Sequence, residues 1–241
     1  MRNYIILNNK SSADINGLII QELPPITKPL QRTQVETIDG RAGDIVTSLG
    51  YAAYDKKISI GLYGDYNVDD VIEFFNNENS EGNITFSNEP DKYYKYQIFA
   101  QIDFERLIRF KTATVTFHVQ PFKYSVQQGT KQLTPASGVT SLNVVNKGNI
   151  HAKPIVTIYG TDTVNLSLNG VEILVIDLGE TANNITIDAD ALEAYTNTID
   201  NLANRSVDGD YNNLMLKVGS NTISWDGNVT KITIANYSRW I

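Results

Sequence analysis

Residues 164–175 have the sequence Val-Asn-Leu-Ser-Leu-Asn-Gly-Val-Glu-Ile-Leu-Val. Apolar residues alternate with polar ones up to Asn169-Gly170, and an apolar alternation starts again after it, as in two half-buried strands joined by a tight turn. Asn-Gly favours a type I′ turn, because both central residues of that turn have a positive φ. The turn predicts a β-hairpin with three inward-facing pairs, which are Leu168 with Val171, Leu166 with Ile173 and Val164 with Val175.

The sequence after this hairpin has the same character. The alternation ends at Gly219-Ser220, resumes through Trp225 and ends again at Asp226-Gly227. Short strands separated by tight turns are typical of a sandwich or a jelly roll. Residues 189–204 fit either a short helix or the turn after a strand, and the pattern does not choose between them.

The N-terminal half also contains alternating segments. Apolar residues from Ala113 to Val119 alternate with threonines and one histidine, which predicts an antiparallel sheet with one face in water. A second alternation from Tyr96 to Phe104 predicts another strand. One helix is predicted after Asn67, a suitable N-cap residue. Its expected apolar face consists of Val71, Ile72 and Phe75.

A polar stretch rich in turn formers, residues 127–138, separates the two halves. Pro121 before it cannot donate to a strand ladder and is expected to end the preceding strand. We therefore predict a boundary close to residue 130, with one domain over residues 1–130 and a second over residues 131–241. The predicted fold class is mainly β, with a β-rich N-terminal domain carrying one short helix and a C-terminal β-sandwich.

The composition argues against several classes of function. The 241 residues include no run near the ~18 apolar residues that a membrane span needs. The formal net charge of -7 opposes adhesion to nucleic acid, although a lumen past which DNA slides is compatible with it. The absence of cysteine excludes disulfides and thiolate chemistry. The apolar run after Met1 is too short for a signal peptide, so we expect folding in a cytoplasm.

No motif indicates catalysis. The two histidines, His118 and His151, lie in no metal-binding or nucleophile motif. The acidic run at residues 208–213 resembles a calcium loop, but Asn213 and Gly219 occupy the positions where an EF-hand loop needs Gly and Glu. We therefore expect no enzyme, no cofactor and no metal site.

Four further segments share a pattern of turn residues beside strands. They are Glu22-Leu23-Pro24-Pro25 with Arg32 and Ile38-Asp39-Gly40-Arg41-Ala42-Gly43-Asp44; residues 115–124; Asn146-Lys147-Gly148-Asn149 with residues 153–160; and residues 219–225 with Tyr237-Ser238-Arg239-Trp240. In order and spacing these segments resemble the distal tail proteins of siphophages that infect Gram-positive bacteria. The first segment is similar to the Gly-Arg-x-Gly turn that this family carries in its N-terminal domain.

The resemblance implies a structural virion protein. Its N-terminal domain would close into a six-membered ring, and its C-terminal domain would be a galectin-like sandwich outside the ring. The ring would join the tail tube protein to the tail tip or baseplate proteins, with a receptor-binding protein as a further partner, and would leave a channel for DNA. Assembly would take place in the host cytoplasm, without sequence-specific nucleic acid binding and without a membrane.

A candidate subunit interface lies in residues 32–54. This segment predicts a long strand pair whose apolar residues need a partner surface, and a projecting pair offers open edges to a neighbouring subunit. We predict an arm that embraces the adjacent subunit, although an ordinary hairpin within the domain fits the pattern equally well. The predicted interface residues are Arg32, Ile38, Gly40, Arg41, Gly43, Ile45, Val46, Leu49 and Tyr51.

Two other classes compete with the structural reading. A carbohydrate-binding module would need an exposed aromatic platform, for which Trp240 is the candidate, whereas Trp225 belongs to an alternating strand and is expected in the core. A cell-wall hydrolase would need two carboxylates across a cleft, a geometry that sequence alone does not show.

Overall fold

The computed structural model describes residues 2–76, 81–136, 138–181 and 183–241, and it is mainly β, as predicted. The chain divides into two compact units, an N-terminal unit that reaches Val126 and a C-terminal unit that spans Gln127–Trp240. Assignment of separate functions to residues 1–130 and 131–241 stays a prediction. In the described part of the chain, no helix is both long enough and apolar enough to cross a membrane.

The N-terminal unit is built on one antiparallel sheet. Its elements are β1 (Ile5–Leu7), β2 (Lys10–Ser11), β3 (Leu18–Glu22), β4 (Gln31–Glu36), β5 (Ile45–Tyr51), β6 (Tyr54–Leu62), α1 (Val68–Phe75), β7 (Glu81–Phe86), β8 (Lys92–Gln97), α2 (Phe104–Phe110) and β9 (Thr112–Ser125). These strands run in the order β2-β1-β7-β8-β9-β6-β3 in the main sheet, while β4 and β5 form a separate two-stranded sheet.

The alternation predicted for β9 decides which face of the main sheet is buried. Val115 pairs with Ile58 of β6, and both are buried, because odd-numbered residues of β9 turn into the core. Pro121 does not end this strand, contrary to the prediction. The strand continues to Ser125, since Pro121 lies where the register between β8 and β9 shifts, and a bulge tolerates a missing donor.

The predicted helix is present as α1. The Asn67 side chain accepts a hydrogen bond from the Asp69 amide at 3.1 Å and caps it. Phe74 is buried in place of Ile72, which is only half-buried. The α-helical spacing allows either residue on the inner face, and packing against the sheet favours the larger ring.

The prediction of a single helix in this unit is wrong. The strand expected to reach Phe104 ends at Gln97, and α2 follows. Asp103 caps α2 by accepting a hydrogen bond from the Arg106 amide at 2.8 Å, and Leu107 packs into the core. The helix ends where Lys111 adopts a left-handed φ of 59°.

The C-terminal unit is a second curled sheet. Its strands are β10 (Lys131–Leu133), β11 (Ser141–Asn146), β12 (Ile155–Leu168), β13 (Val171–Asp177), β14 (Asn183–Asp188), β15 (Glu193–Tyr195), β16 (Val207–Gly209) and β17 (Gly219–Ala235). The unit also contains the short strand β18 (Arg239–Trp240), which is not part of this sheet. The two longest strands, β12 and β17, pair along most of their length and bend at register shifts between them. The bend divides the paired strands into two halves, and each half belongs to a different layer of the unit. One layer also contains β14, β15 and β10, and the other contains β13, β16 and β11. Both layers enclose one apolar core.

The opening hairpin forms with the predicted turn but with another register. Asn169 and Gly170 have φ values of 53° and 83°, and Leu168 pairs with Val171. A bulge then adds one residue to β13, so Leu166 pairs with Leu174 rather than with Ile173, and Val164 pairs with Ile176 rather than with Val175. Val171, beside the turn, is exposed, so its predicted inward-facing position is wrong.

The structure also tests the predicted turn at Asp226-Gly227 and the segment after Asp188, which the sequence left open. The turn expected at Asp226-Gly227 is absent, because β17 runs through it and Gly227 instead approaches the backbone of Thr163 closely. Residues after Asp188 form a turn followed by β15, not a helix. Asp188 stabilises that turn, since its carboxylate accepts hydrogen bonds from the amides of Asp190 and Ala191 at 2.9 and 3.0 Å.

Candidate subunit interface

The arm, defined here as residues 31–51, consists of β4, β5 and the tip between them. Within the described residues, β4 and β5 pair only with each other. Glu36 pairs with Ile45, Val35 with Val46 and Gln34 with Thr47 in an antiparallel register. The arm therefore has its own ladder and two open outer edges.

Local sequence explains the shape of the arm. An extra residue in β5 shifts the register near Gly50, whose φ of 91° suits a bulge. At the tip, the Arg41 amide donates to the Ile38 carbonyl at 3.1 Å, and the Thr37 hydroxyl donates to the Asp44 carboxylate at 3.0 Å. Gly40 and Gly43 at the tip have φ values of 83° and 81°, which glycine adopts without strain.

The arm carries apolar side chains without a core. Val46 is 61% exposed and Val35 is 55% exposed, and Leu49 and Ile38 are also exposed. An isolated two-stranded hairpin is marginally stable in water, and exposed apolar groups beside polar ones are typical of a contact surface. The arm therefore carries apolar surface that the described residues of this chain leave exposed.

All nine predicted interface residues lie in the arm. Arg32, Gly40 and Arg41 are exposed, while Ile45 and Tyr51 are half-buried. The prediction omitted Val35, although one β-branched residue between Gln34 and Glu36 is a recognisable strand signal. Participation of these residues in a subunit contact stays a prediction.

The base of the arm is held against the N-terminal unit. The Tyr51 ring meets the Phe122 ring edge-on, with centroids 5.8 Å apart. The Ala52 amide donates to the Leu30 carbonyl at 2.8 Å and joins the two ends of the arm. These contacts attach the arm at its base and leave its length uncovered.

The other candidate residues do not form a reactive site. The His118 Nδ1 atom lies 2.9 Å from the Asp55 carboxylate, on an exposed face. Burial, with Arg239 and Lys153 nearby, lowers the pKa of His151, so it is neutral near pH 7. Searching the described residues gives no group of three or more His, Asp or Glu side chains that could hold a metal ion.

The tryptophans differ in burial. Trp225 is 5% exposed and lies in the core of the C-terminal unit. Trp240 is half-buried in β18, and its role as a saccharide platform stays a prediction.

Comparison with known proteins identifies the N-terminal part of the chain. Residues 10–119 match the family model described as the phage tail protein RIFT-related domain. The search of curated proteins found no match.

Solved structures match nearly the whole chain. One is the crystal structure of the SPP1 Dit protein, described as a paradigm of the hub adsorption apparatus in phages that infect Gram-positive bacteria. It has a TM-score of 0.63 and 17% identity, and the match covers 100% of both chains. A chain of the phage P2 baseplate, in its activated conformation with Ca, has a TM-score of 0.53 and 9% identity, over 100% of this chain and 98% of that one. A chain of the same baseplate in its activated conformation with Sr has a TM-score of 0.52 and 11% identity, over 96% of this chain and 97% of that one.

These likenesses confirm the resemblance stated from the sequence. At such low identity the solved structures establish the fold, and the family model adds a match over residues 10–119. Residues 10–119 of this chain match the model of the phage tail protein RIFT-related domain, and the whole chain has the fold of the SPP1 Dit protein.

Proposed function

We propose that this protein is a structural component of the phage tail, a distal tail hub that forms a six-membered ring. The ring joins the tail tube protein to the tail tip or baseplate proteins and leaves a channel for DNA. The phage tail domain over residues 10–119 and the fold shared with a hub protein support this role. The protein acts in the virion and is assembled in the host cytoplasm, and it works by contact rather than by catalysis.

The exposed arm is the observation that carries this proposal. Its surface differs from any surface of the main sheet, so a contact between the arm of one copy and the body of the next joins two different patches. Such a heterologous contact generates a ring when the rotation between copies closes. The open strand edges of the arm can pair with a neighbouring chain, and its apolar residues can then leave water.

The mass of the purified protein in solution tests the proposal. Light scattering over a range of concentration and salt should give six times the chain mass, or an equilibrium between one and six copies. A chain lacking residues 38–49 should stay soluble and monomeric, because these residues lie outside both cores. A deletion variant that still forms hexamers would contradict the arm as the ring contact.

Saccharide binding by the C-terminal unit is the competing function. It predicts retention on cell-wall polysaccharide that is lost in Trp240→Ala. A wild-type chain that stays monomeric throughout the mass measurement and is retained on polysaccharide would favour this function over the ring.

A further inference from the structure

A lysine is buried beside the base of the arm. Lys56 of β6 is 3% exposed, and its ammonium donates a hydrogen bond to the Pro25 carbonyl at 3.0 Å. Three aromatic rings surround the same ammonium. Its distances to their centroids are 5.0 Å for Tyr94, 5.5 Å for Tyr54 and 5.6 Å for Phe86. Such ring faces attract a cation, and they replace part of the water that burial removes.

The charges around Lys56 come from two other elements. Lys123 of β9 donates to the Glu89 carboxylate at 2.9 Å, and the Tyr94 hydroxyl donates to the same carboxylate at 2.7 Å. Glu89 therefore already has two partners, and the strongest directional contact of Lys56 is with Pro25. The cluster holds two ammonium groups for one carboxylate.

A second side chain holds the preceding residue. The Asn88 amide, in the turn between β7 and β8, donates to the Pro24 carbonyl at 3.0 Å. Neither proline has an N–H group, so this segment cannot extend β3 as a paired strand. Its carbonyl oxygens are bound by side chains instead, and those side chains decide where the chain goes after Glu22.

The two chain segments that connect the arm to the N-terminal unit are in contact at this place. The outgoing chain passes Pro25 and reaches β4 at Gln31, and the returning chain enters β6 at Tyr54, two residues before Lys56. The Pro24-Pro25 segment is therefore part of the connection that leads into β4.

We propose that Lys56 and Asn88 form a clamp that sets the direction in which the arm leaves the N-terminal unit. The clamp is a positioning device, and its link to assembly rests on the proposed hub function. Replacement of Lys56 by methionine keeps a long side chain and removes the desolvation cost of the charge, so the fold keeps its core while the bond to Pro25 is lost.

Spin labels measure the direction of the arm directly. The natural chain has no cysteine, so Val46→Cys on the arm and Glu73→Cys on α1 can be labelled in the full-length protein without background. Both positions are exposed. The label at residue 46 also blocks the proposed subunit contact, so the distance reports on the free arm.

The expected result is a narrow distance distribution in the otherwise unchanged chain and a broader or shifted one after Lys56→Met. Lys57→Met is the matched control, because Lys57 is the next residue, is exposed and points to the opposite face. Asn88→Ala should also give a broader or shifted distribution. It serves as the test variant if Lys56→Met misfolds. A distribution unaffected by Lys56→Met and Asn88→Ala, or equally affected by Lys57→Met, overturns the clamp.

Light scattering on unlabelled chains tests the hub function independently of the clamp. If the hub function holds, Lys56→Met lowers the hexamer fraction and Lys57→Met does not. If the unaltered chain forms no hexamer while Lys56→Met still broadens the distances, the ring fails and the clamp stands.

Discussion

Val35 and Val46 lie directly opposite each other across β4 and β5, and more than half of each residue is exposed to solvent. In the main sheet, the comparable pair of Ile58 and Val115 is fully enclosed. Both pairs consist of aliphatic side chains, but only Ile58 and Val115 are packed inside a hydrophobic core. The arm therefore carries apolar side chains that no core among the described residues covers.

Val46→Asp should convert the proposed hexamer to monomers. A carboxylate at this position must lose its water if a neighbouring copy covers it, which costs far more than leaving it in solvent. Val171→Asp is the control, because Val171 is 65% exposed at another hairpin, in the C-terminal unit. Light scattering checks the masses, and equal loss of hexamer in both variants would point to a general solubility effect instead.

Asn221→Leu should destabilise the C-terminal unit. Asn221 is 1% exposed and makes four hydrogen bonds: its amide donates to the Lys217 and Gly219 carbonyls, and its oxygen accepts from the Lys217 amide and from Asn169. Leaving buried partners unsatisfied costs about 1–3 kcal/mol of unfolding free energy. Urea unfolding measures the loss, and Asn228→Leu at an exposed position should change the free energy little.

Gly148→Ala should disrupt the C-terminal unit more than Gly61→Ala disrupts the N-terminal one. A Cβ atom at residue 148 would lie 1.8 Å from the Arg239 carbonyl oxygen, which is backbone and cannot rotate away. A Cβ atom at residue 61 would meet only the end of the flexible Gln21 side chain. Thermal unfolding should show a large fall in Tm for the first variant alone. Similar Tm values for both would contradict the predicted rigidity of the Gly148 contact.

Lys56 should give the stability a particular dependence on pH. Burial lowers its pKa from 10.5 to about 8, with Lys123 acting in the same direction and Glu89 against it. Between pH 8 and 10.5 the unfolded chain binds more protons at this group, so its contribution to the unfolding free energy rises with pH. Below pH 8 the cost of burying the charged amine is fully present.

The comparison that isolates this effect is wild type against Lys56→Met. Urea unfolding at several pH values from about 7 to about 9.5 should show the wild type gaining stability relative to the variant. The range stops there because burial raises the pKa of Tyr54 and Tyr94, so ionisation of these phenols in the unfolded state opposes folding at higher pH. A constant difference between the two proteins would exclude the lowered pKa.

Sequence patterns predicted the kinds of elements better than their registers. The Asn169-Gly170 turn is correct because a two-residue turn with positive φ is a local property. The bulge that follows it depends on which of Ile173 and Leu174 fills the core better, and that choice is made by packing from other strands. Asp226-Gly227 has turn composition, but its place inside β17 is set by the bend that this strand shares with β12.

The candidate site was also predicted only in part from the sequence. A strand pair near residues 32–54 with apolar residues in need of a partner surface could be predicted, although the same pattern fits an ordinary hairpin within the domain. The clamp could not, since Lys56-Lys57 in an alternating strand indicates two solvated side chains. Only the fold shows that Lys56 turns inward, toward rings and a carboxylate that lie 30 or more residues later in the chain.

The shared bend of β12 and β17 has a mechanical consequence. Each strand continues from one layer of the C-terminal unit into the other without interruption. The two layers are therefore joined by continuous strands and cannot separate without breaking the pairing of β12 and β17. Tension applied along these strands acts on the ladders of both layers together, in shear, and many hydrogen bonds share the load before any one breaks. In the proposed hub, such load sharing would keep the C-terminal unit intact while DNA passes through the ring, without a covalent cross-link.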